Sequence, residues 1–456
     1  MTDKNKTLKN AYQKEKLLIQ LEEDDAEATE QHPSCAHGPT ILFYRQSQKP
    51  QDGYYACSAH RDAKLCKFQM PASKWKGESI KRELSKRTHP LINQERIGRS
   101  KIVDPTLSMQ ALEQDAVNAQ YFFDANALAF LAEQCQLLGI TKVVCMGTPR
   151  LHFHLRDKCK NIQTFLLDLD ERFASHLGPK EFCHYNMCNN HFFYDRRPFE
   201  DFLRGSITDR VLIATDPPFG CRTELIAHTL HSLRRLHNRL NQIPWTPLSI
   251  FWIYPYFAYN YIKQQMPEME MSDYLINYTN HSRYTNVGDE SRAYGSPVRL
   301  FTNVPLDQLN LTTREGYKFC PKCEKHTAQT TTHCDLCGKC SSQNGQIYRH
   351  CLSCDMCVKP NYVHCQNCRR CTQREGHICS LYQSMQICWL CGSRGHIESN
   401  CRVLEKVKKT KAMSTQRGQC CLLCGRKDHR ERRCKQRNKY FNETEFMGQK
   451  TIEFRG

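Results

Sequence analysis

The sequence predicts an α/β protein, with a parallel-sheet domain in mid-chain flanked by small modules stapled by metal. Three observations carry that reading. Between about 105 and 310, short apolar runs alternate with helical segments, the pattern of βαβ units. Within that stretch, Asp216-Pro217-Pro218-Phe219 directly follows the apolar run VLIAT, and so sits at the C-terminal end of a strand. Of 28 Cys, nine precede residue 320 and nineteen lie between Cys320 and Cys434.

Length and charge set the frame. At roughly 150 residues per domain, 456 residues make two to four units. The net charge is +18, from 65 Lys and Arg against 47 Asp and Glu, which suits a polyanionic partner. No run of 18 apolar residues exists, so no membrane-spanning helix is expected. The opening MTDKNKTLKNAYQKEK is too polar for a secretory signal. The cysteines are therefore expected to remain reduced and to bind metal.

Residues 1–30 are polar, with the acidic run Glu22–Asp25, and read as a solvated, disordered tail. Residues 31–76 follow. Cys35, His37, Cys57 and Cys66 make a Cys3His set suited to tetrahedral zinc. Gly53–Ser58 and Cys66–Met70 read as short strands between the ligands. This module resembles the GRF-type zinc finger, in the variant where His replaces the second Cys. The resemblance implies nucleic-acid binding, for which Arg45, Tyr54, Arg61 and Lys64 are the candidate contacts. A purely structural zinc staple is the alternative.

Residues 105–312 form the α/β domain. Strands are expected at Lys142–Met146, Thr164–Leu167, Val211–Ala214, Leu248–Ile253 and Arg299–Phe301, and helices at Ala111–Glu133 and Thr223–Leu240. Ligands of open α/β sheets bind at the C-terminal ends of such strands. Asp216 and the Pro217 carbonyl can accept the two N–H bonds of an exocyclic amine, favouring the pyramidal geometry in which its lone pair attacks. Pro217 and Pro218 stiffen the backbone and remove competing donors. Phe219 can stack on a base. Orientation and electrostatics suffice for this chemistry, so Asp216 need not act as a full base.

This tetrapeptide is similar to the [D/N]-P-P-[F/Y/W] motif of N-methyltransferases acting on base amines. The upstream KVVCMGTPRLH resembles motif I of S-adenosylmethionine-dependent methyltransferases, with a single glycine, Gly147, on the turn. The resemblance implies a Rossmann-like class I methyltransferase domain. It makes Gly147, Arg150, Asp168, Asp170 and Asn186 candidate cofactor contacts, beside Asp216. Arg150 is assigned to the cofactor carboxylate and Asp168, ahead of Asp170, to the ribose hydroxyls. Either Asp can instead cap a helix. Asn186 is a candidate for the adenine. Gln120, Tyr121, Phe122 and Phe123 lie over the cofactor or within a helix core. Trp252, Tyr254, Tyr256 and Phe257 divide between base pocket and core.

Residues 318–381 hold a repeating His-Cys-x2-Cys-x2-Cys pattern that uses nearly every ligand when interleaved. Cys320, Cys323, His333 and Cys340 make the first set, and Cys334, Cys337, His350 and Cys357 the second. Cys351, Cys354, His364 and Cys371 make the third, and Cys365, Cys368, His377 and Cys379 the fourth. Closed Cys3His sites are structural. The region is similar to the cysteine-rich zinc region of DHHC proteins, but lacks Asp-His-His-Cys and flanking membrane helices, which argues against palmitoyl transfer.

Two C-x2-C-x4-H-x4-C knuckles follow. Residues 386–403 carry Cys388, Cys391, His396 and Cys401; residues 419–436 carry Cys421, Cys424, His429 and Cys434. Knuckles of this kind bind single-stranded nucleic acid, with Trp389, Leu422 or Leu423 placed to stack on a base. A basic linker (404–418) joins them and a tail (437–456) ends the chain. Residues 402–440 hold fourteen Lys and Arg against three Asp and Glu, a phosphate-binding footprint.

The combined order of modules resembles the CCHC-type zinc-knuckle family of ribosomal RNA adenine N6-methyltransferases. The second knuckle departs from that pattern. The resemblance implies N6-methylation of an adenosine in large-subunit ribosomal RNA, with S-adenosylmethionine and about seven zinc ions. It also implies a stem-loop RNA partner, ribosome-assembly proteins, and the nucleolus, with the cytoplasm as a second compartment. Residue chemistry alone leaves open DNA adenine, guanine N2 or a protein glutamine as the acceptor, or a non-catalytic RNA-binding scaffold.

Overall fold

The computed structural model describes residues 17–20, 32–45, 48–60, 64–77, 88–93, 104–107, 109, 120–205, 209–243, 248–280, 296–342, 345–368, 370–380, 382 and 396. Of the predicted knuckle residues only His396 lies among these. The chain divides into two compact units. One runs from Glu15 to Gln329 and adds Gln343–Gly345; the other holds Met1–Lys14, Thr330–Ser342 and Gln346 onward.

The first unit is built on an eight-stranded sheet: β1 (Lys142–Met146), β2 (Gln163–Asp168), β3 (Phe182–Asn186), β4 (His191–Phe192), β5 (Val211–Thr215), β6 (Ser249–Pro255), β7 (Glu270–Leu275) and β8 (Val298–Thr302). Their order is β4-β3-β2-β1-β5-β6-β8-β7. The five inner strands β3, β2, β1, β5 and β6 run parallel, while β4, β8 and β7 pair antiparallel. The chain order reverses between β1 and β5, which opens a crevice at their C-terminal ends.

Helices α1 (Ala125–Leu137), α2 (Pro149–Lys158), α3 (Arg197–Leu203), α4 (Thr223–Asn241) and α5 (Tyr259–Gln265) accompany the sheet. All five residues of β1 are buried, which explains its unbroken apolar run. Alternate residues serve different cores. Val143 and Cys145 join one with Leu128 and Leu131 of α1, while Val144 and Met146 join the other with Ile226 and Leu230 of α4. Each fully buried Leu or Phe contributes roughly 1.5–3 kcal/mol.

The expected strands form, each within two residues of its predicted ends. Three expectations need correction. The helix predicted at Ala111–Glu133 starts at Ala125, because the Asp124 side chain accepts from Ala127 N at 2.7 Å and caps it; residues 111–119 lie outside the described residues. The strand predicted at Cys66–Met70 is confined to Gln69–Pro71, since Cys66 turns toward the metal set. Leu17–Gln20, within the stretch read as a tail, instead pairs antiparallel with Ile41–Arg45 as an edge strand of the finger sheet. Its Leu-Leu-Ile run suits a strand in a way its polar flanks do not.

The second unit carries three short hairpins: His333–Cys334 with Lys339–Cys340, Arg349–Cys351 with Met356–Val358, and Tyr362–Cys365 with Arg370–Gln373. In Cys334-x2-Cys337 and Cys351-x2-Cys354 the second Cys N–H returns to the first Cys carbonyl, at 3.2 and 3.1 Å. The next residue, Gly338 or Asp355, takes a left-handed φ of 63° or 51°. The Cys-x2-Cys spacing thus encodes one repeated turn. No helix among the described residues is long and apolar enough to cross a membrane.

Candidate active site

A cavity of about 680 Å³ opens at the switch point between β1 and β5, within the ~300–1,000 Å³ typical of small-molecule sites. Gly147 follows β1, Asp168 and Asp170 end β2 and follow it, Asn186 ends β3, and Asp216–Phe219 follow β5; all of them line it. Gly147 has φ 68°, and a Cβ there would meet Met187 Cε at 2.4 Å. The left-handed φ is what favours glycine here, since the Met187 methyl ends a flexible side chain and can move aside.

The two acidic residues after β2 have different employment. Asp170 accepts Arg172 Nε and Nη2 at 2.9 and 2.7 Å and caps the turn that follows. Asp168 accepts from Asp170 N at 2.9 Å. Burial pushes its carboxyl up to about 7. Asp168 thus meets a backbone N–H, while Asp170 is held by the Arg172 guanidinium.

Burial also raises the Asp216 carboxyl well above the ordinary carboxylate range, opposed by a hydrogen bond from Tyr278 Oη to Oδ1 at 2.9 Å. Tyr254 Oη donates to the Phe219 and Cys221 carbonyls at 3.1 and 2.6 Å and braces the proline turn from β6. Phe219 stacks with Tyr121, centroids 5.9 Å apart at 28°.

The N-terminal finger forms one wall. Ala36, His37, Ala59, His60 and Leu65 line the same cavity. Asn186 Nδ2 donates to His37 O and Ser58 Oγ, both at 3.0 Å, and Asn189 Nδ2 to Pro39 O at 2.8 Å. Gly38 packs so closely on His191 that a Cβ would meet its ring at 2.6 Å.

The finger donors Cys35, His37, Cys57 and Cys66 lie within 4.8 Å of one another. In the second unit three sets are equally close: Cys334, Cys337, His350 and Cys357; Cys351, Cys354, His364 and Cys371; and Cys365, Cys368, His377 and Cys379. Tetrahedral zinc with bonds of about 2.0–2.3 Å spaces its S and N ligands about 3.6 Å apart. The S···N distances are 3.5 Å for Cys57–His37, 3.2 Å for Cys354–His364 and 3.3 Å for Cys368–His377, so the donor sets fit zinc.

Of the predicted contacts, Gln120 and Tyr121 reach the cavity. Phe122 and Phe123 do not: they are buried, and Phe123 belongs to the core. Arg150 also lies off the cavity wall, donating to Phe123 O and Thr279 Oγ1 at 3.2 and 2.9 Å. The Asn186 amide is spent on the finger, and its Oδ1 accepts from Cys188 N. Trp252 is fully buried and Phe257 is exposed, and neither lines the cavity. Sequence reasoning missed Tyr278, Arg172, His184, Met187 and the finger wall. No local motif marks them, because only the fold brings them to the strand ends.

Known proteins resemble this chain. The model of a family described as probable N6-adenine methyltransferase matches residues 114–289. The human rRNA N(6)-adenosine-methyltransferase ZCCHC4 is 34% identical over 447 residues, covering 84% of this chain and 85% of the relative. The protein of the same name from Xenopus tropicalis is 32% identical, covering 66% and 73%; that from mouse is 33% identical, covering 66% and 70%.

Proposed function

The chain belongs to the family of rRNA N(6)-adenosine-methyltransferases, and on that premise we propose that it methylates N6 of one adenosine in large-subunit ribosomal RNA at the Asp216–Phe219 turn. The observation that carries this is the convergence of Gly147, Asp168 and Asp216–Phe219 on one cavity at the strand switch point.

The cavity fits S-adenosylmethionine. A glycine with a left-handed φ lines the turn after β1, and a buried acid on the end of β2 has an accepting carboxyl. When bound, the cofactor supplies an electrophilic methyl group on a sulfonium. Asp168 accepts the ribose hydroxyls, and the Gly147 backbone permits close approach. Asp216 and the Pro217 carbonyl accept hydrogen bonds from the two N6–H groups and orient the lone pair, while Phe219 stacks on the base. A base flipped from its helix costs a few kcal/mol of unstacking, which this stacking offsets. A poorly solvated Asp216 carboxylate stabilises the positive charge that builds on N6 as the bond forms. The proton then leaves to solvent.

Zinc is the metal that suits the Cys3His sets. We assign it also to Cys320, Cys323, His333 and Cys340 and to the two knuckles, seven ions in all. These modules grip the RNA, a stem-loop presenting the target, in company with ribosome-assembly proteins. The nucleolus is the expected compartment. Purified protein with labelled cofactor should methylate ribosomal RNA from cells lacking the enzyme, with N6-methyladenosine as the product by nucleoside mass spectrometry. Labelling of DNA or of guanine instead would refute the proposal.

A further inference from the structure

We propose that Tyr278 is a positioning residue for methyl transfer: its hydroxyl holds one oxygen of Asp216 so that the other faces the target amine. This rests on the reading of Asp216 given above. Tyr278 Oη donates to Asp216 Oδ1 at 2.9 Å. Among the described residues no other side chain hydrogen-bonds that carboxyl, so Oδ2 is left to the cavity that Asp216 lines. The carboxylate torsion of an aspartate is broad and two-fold. One rigid donor is enough to select an orientation.

Tyr278 is rigid for reasons visible in its surroundings. Its ring is buried and stacks on Phe123, centroids 5.5 Å apart at 26°. Its backbone is zipped to the segment before α1. Asp124 N donates to Asn277 O at 3.0 Å and Thr279 N to Phe122 O at 2.8 Å. Phe122 N donates to Asn280 Oδ1 at 2.8 Å, and Asn280 Nδ2 to Gln120 O at 2.7 Å. Arg150 joins the two segments through Phe123 O and Thr279 Oγ1. The same zipper places Tyr121 against Phe219. The clamp therefore serves both the acceptor and the stacking face. The hydroxyl also counters the desolvation that favours a neutral Asp216, and only the ionised carboxylate can accept from the amine through either oxygen.

Tyr278→Phe keeps the ring and removes the donor. With deproteinised ribosomal RNA from cells lacking the enzyme as substrate, kcat should fall roughly tenfold to hundredfold, the worth of one hydrogen bond to a charged group. KM for the RNA and Kd for S-adenosylmethionine should stay unchanged. Rates are taken well below the variant's melting temperature, with cofactor binding as the check on folding. An unchanged kcat would overturn the proposal, as would a loss confined to KM or to cofactor affinity. Asp216→Ala run alongside separates the two readings. If it retains activity, the active-site assignment itself falls. If it is inactive while Tyr278→Phe matches wild type, only the role of Tyr278 falls.

Discussion

Strand β1 buries all five of its residues between two helical layers, whereas the hairpin Arg349–Cys351 with Met356–Val358 leaves Met356 47% exposed and Leu352, in its turn, 78% exposed. The catalytic sheet is held by apolar surface removed from water. The array has short strands and few buried apolar side chains among its described residues, and its Cys and His donors converge in sets within 4.8 Å. Two ways of fixing a chain thus stand side by side, one proportional to buried area and the other to ligand count. The N-terminal finger combines them. Its ligands are Cys and His, yet its outer face is hydrogen-bonded to Asn186 and Asn189 and closes the catalytic cavity.

Metal removal should break this contrast most strongly. A structural zinc site in a small module contributes about 10–16 kcal/mol of apparent binding energy. Chelation should therefore abolish amide-exchange protection in residues 333–379 and leave that of the β1 and β5 amides intact. Equal loss in both would mean that the sheet also depends on metal.

Asp216→Ala comes next. Activity should drop by roughly a hundredfold to a thousandfold, as when a preorganised polar group is deleted from an active site. The melting temperature should hold, since Asp216 lies on the cavity wall rather than in the core. Leu230→Ala probes the opposite property. Leu230 of α4 is 1% exposed, and its truncation should cost about 2–5 kcal/mol in denaturant unfolding of the catalytic unit. Zinc stoichiometry of that variant should not change.

The smallest effect concerns pH. Asp168 is pushed up to about 7 by burial. The ionised form accepts two ribose hydroxyls, and the neutral form accepts less well and presents a proton of its own. S-adenosylmethionine affinity, measured by calorimetry, should therefore fall as pH drops below about 7, by at most about tenfold per unit. Asp168→Asn should flatten that dependence. An undiminished slope in Asp168→Asn would assign the titration to another group.

The strands could be read from the sequence because a strand buried on both faces needs an unbroken apolar run, as in KVVCM and VLIAT. The metal sets could be read because ligand spacing is local and repeated. The start of α1 could not: Tyr121–Phe123 are apolar enough to continue a helix, but Phe123 instead forms a β-bridge with Tyr278. Arg150 has the right charge and turn for a cofactor contact, and the fold employs it as a latch instead.

By itself the sequence determined the class of fold and marked the proline turn and the spaced Cys and His sets, because each depends on residues near one another in the chain. Tertiary structure alone decided which of two acids is left to accept a ligand, that Tyr278 reaches Asp216 from 62 positions away, and that the finger walls the cavity. Those choices follow from which strand ends meet at the switch point, and side chains brought together by packing leave no spacing in the sequence to mark them.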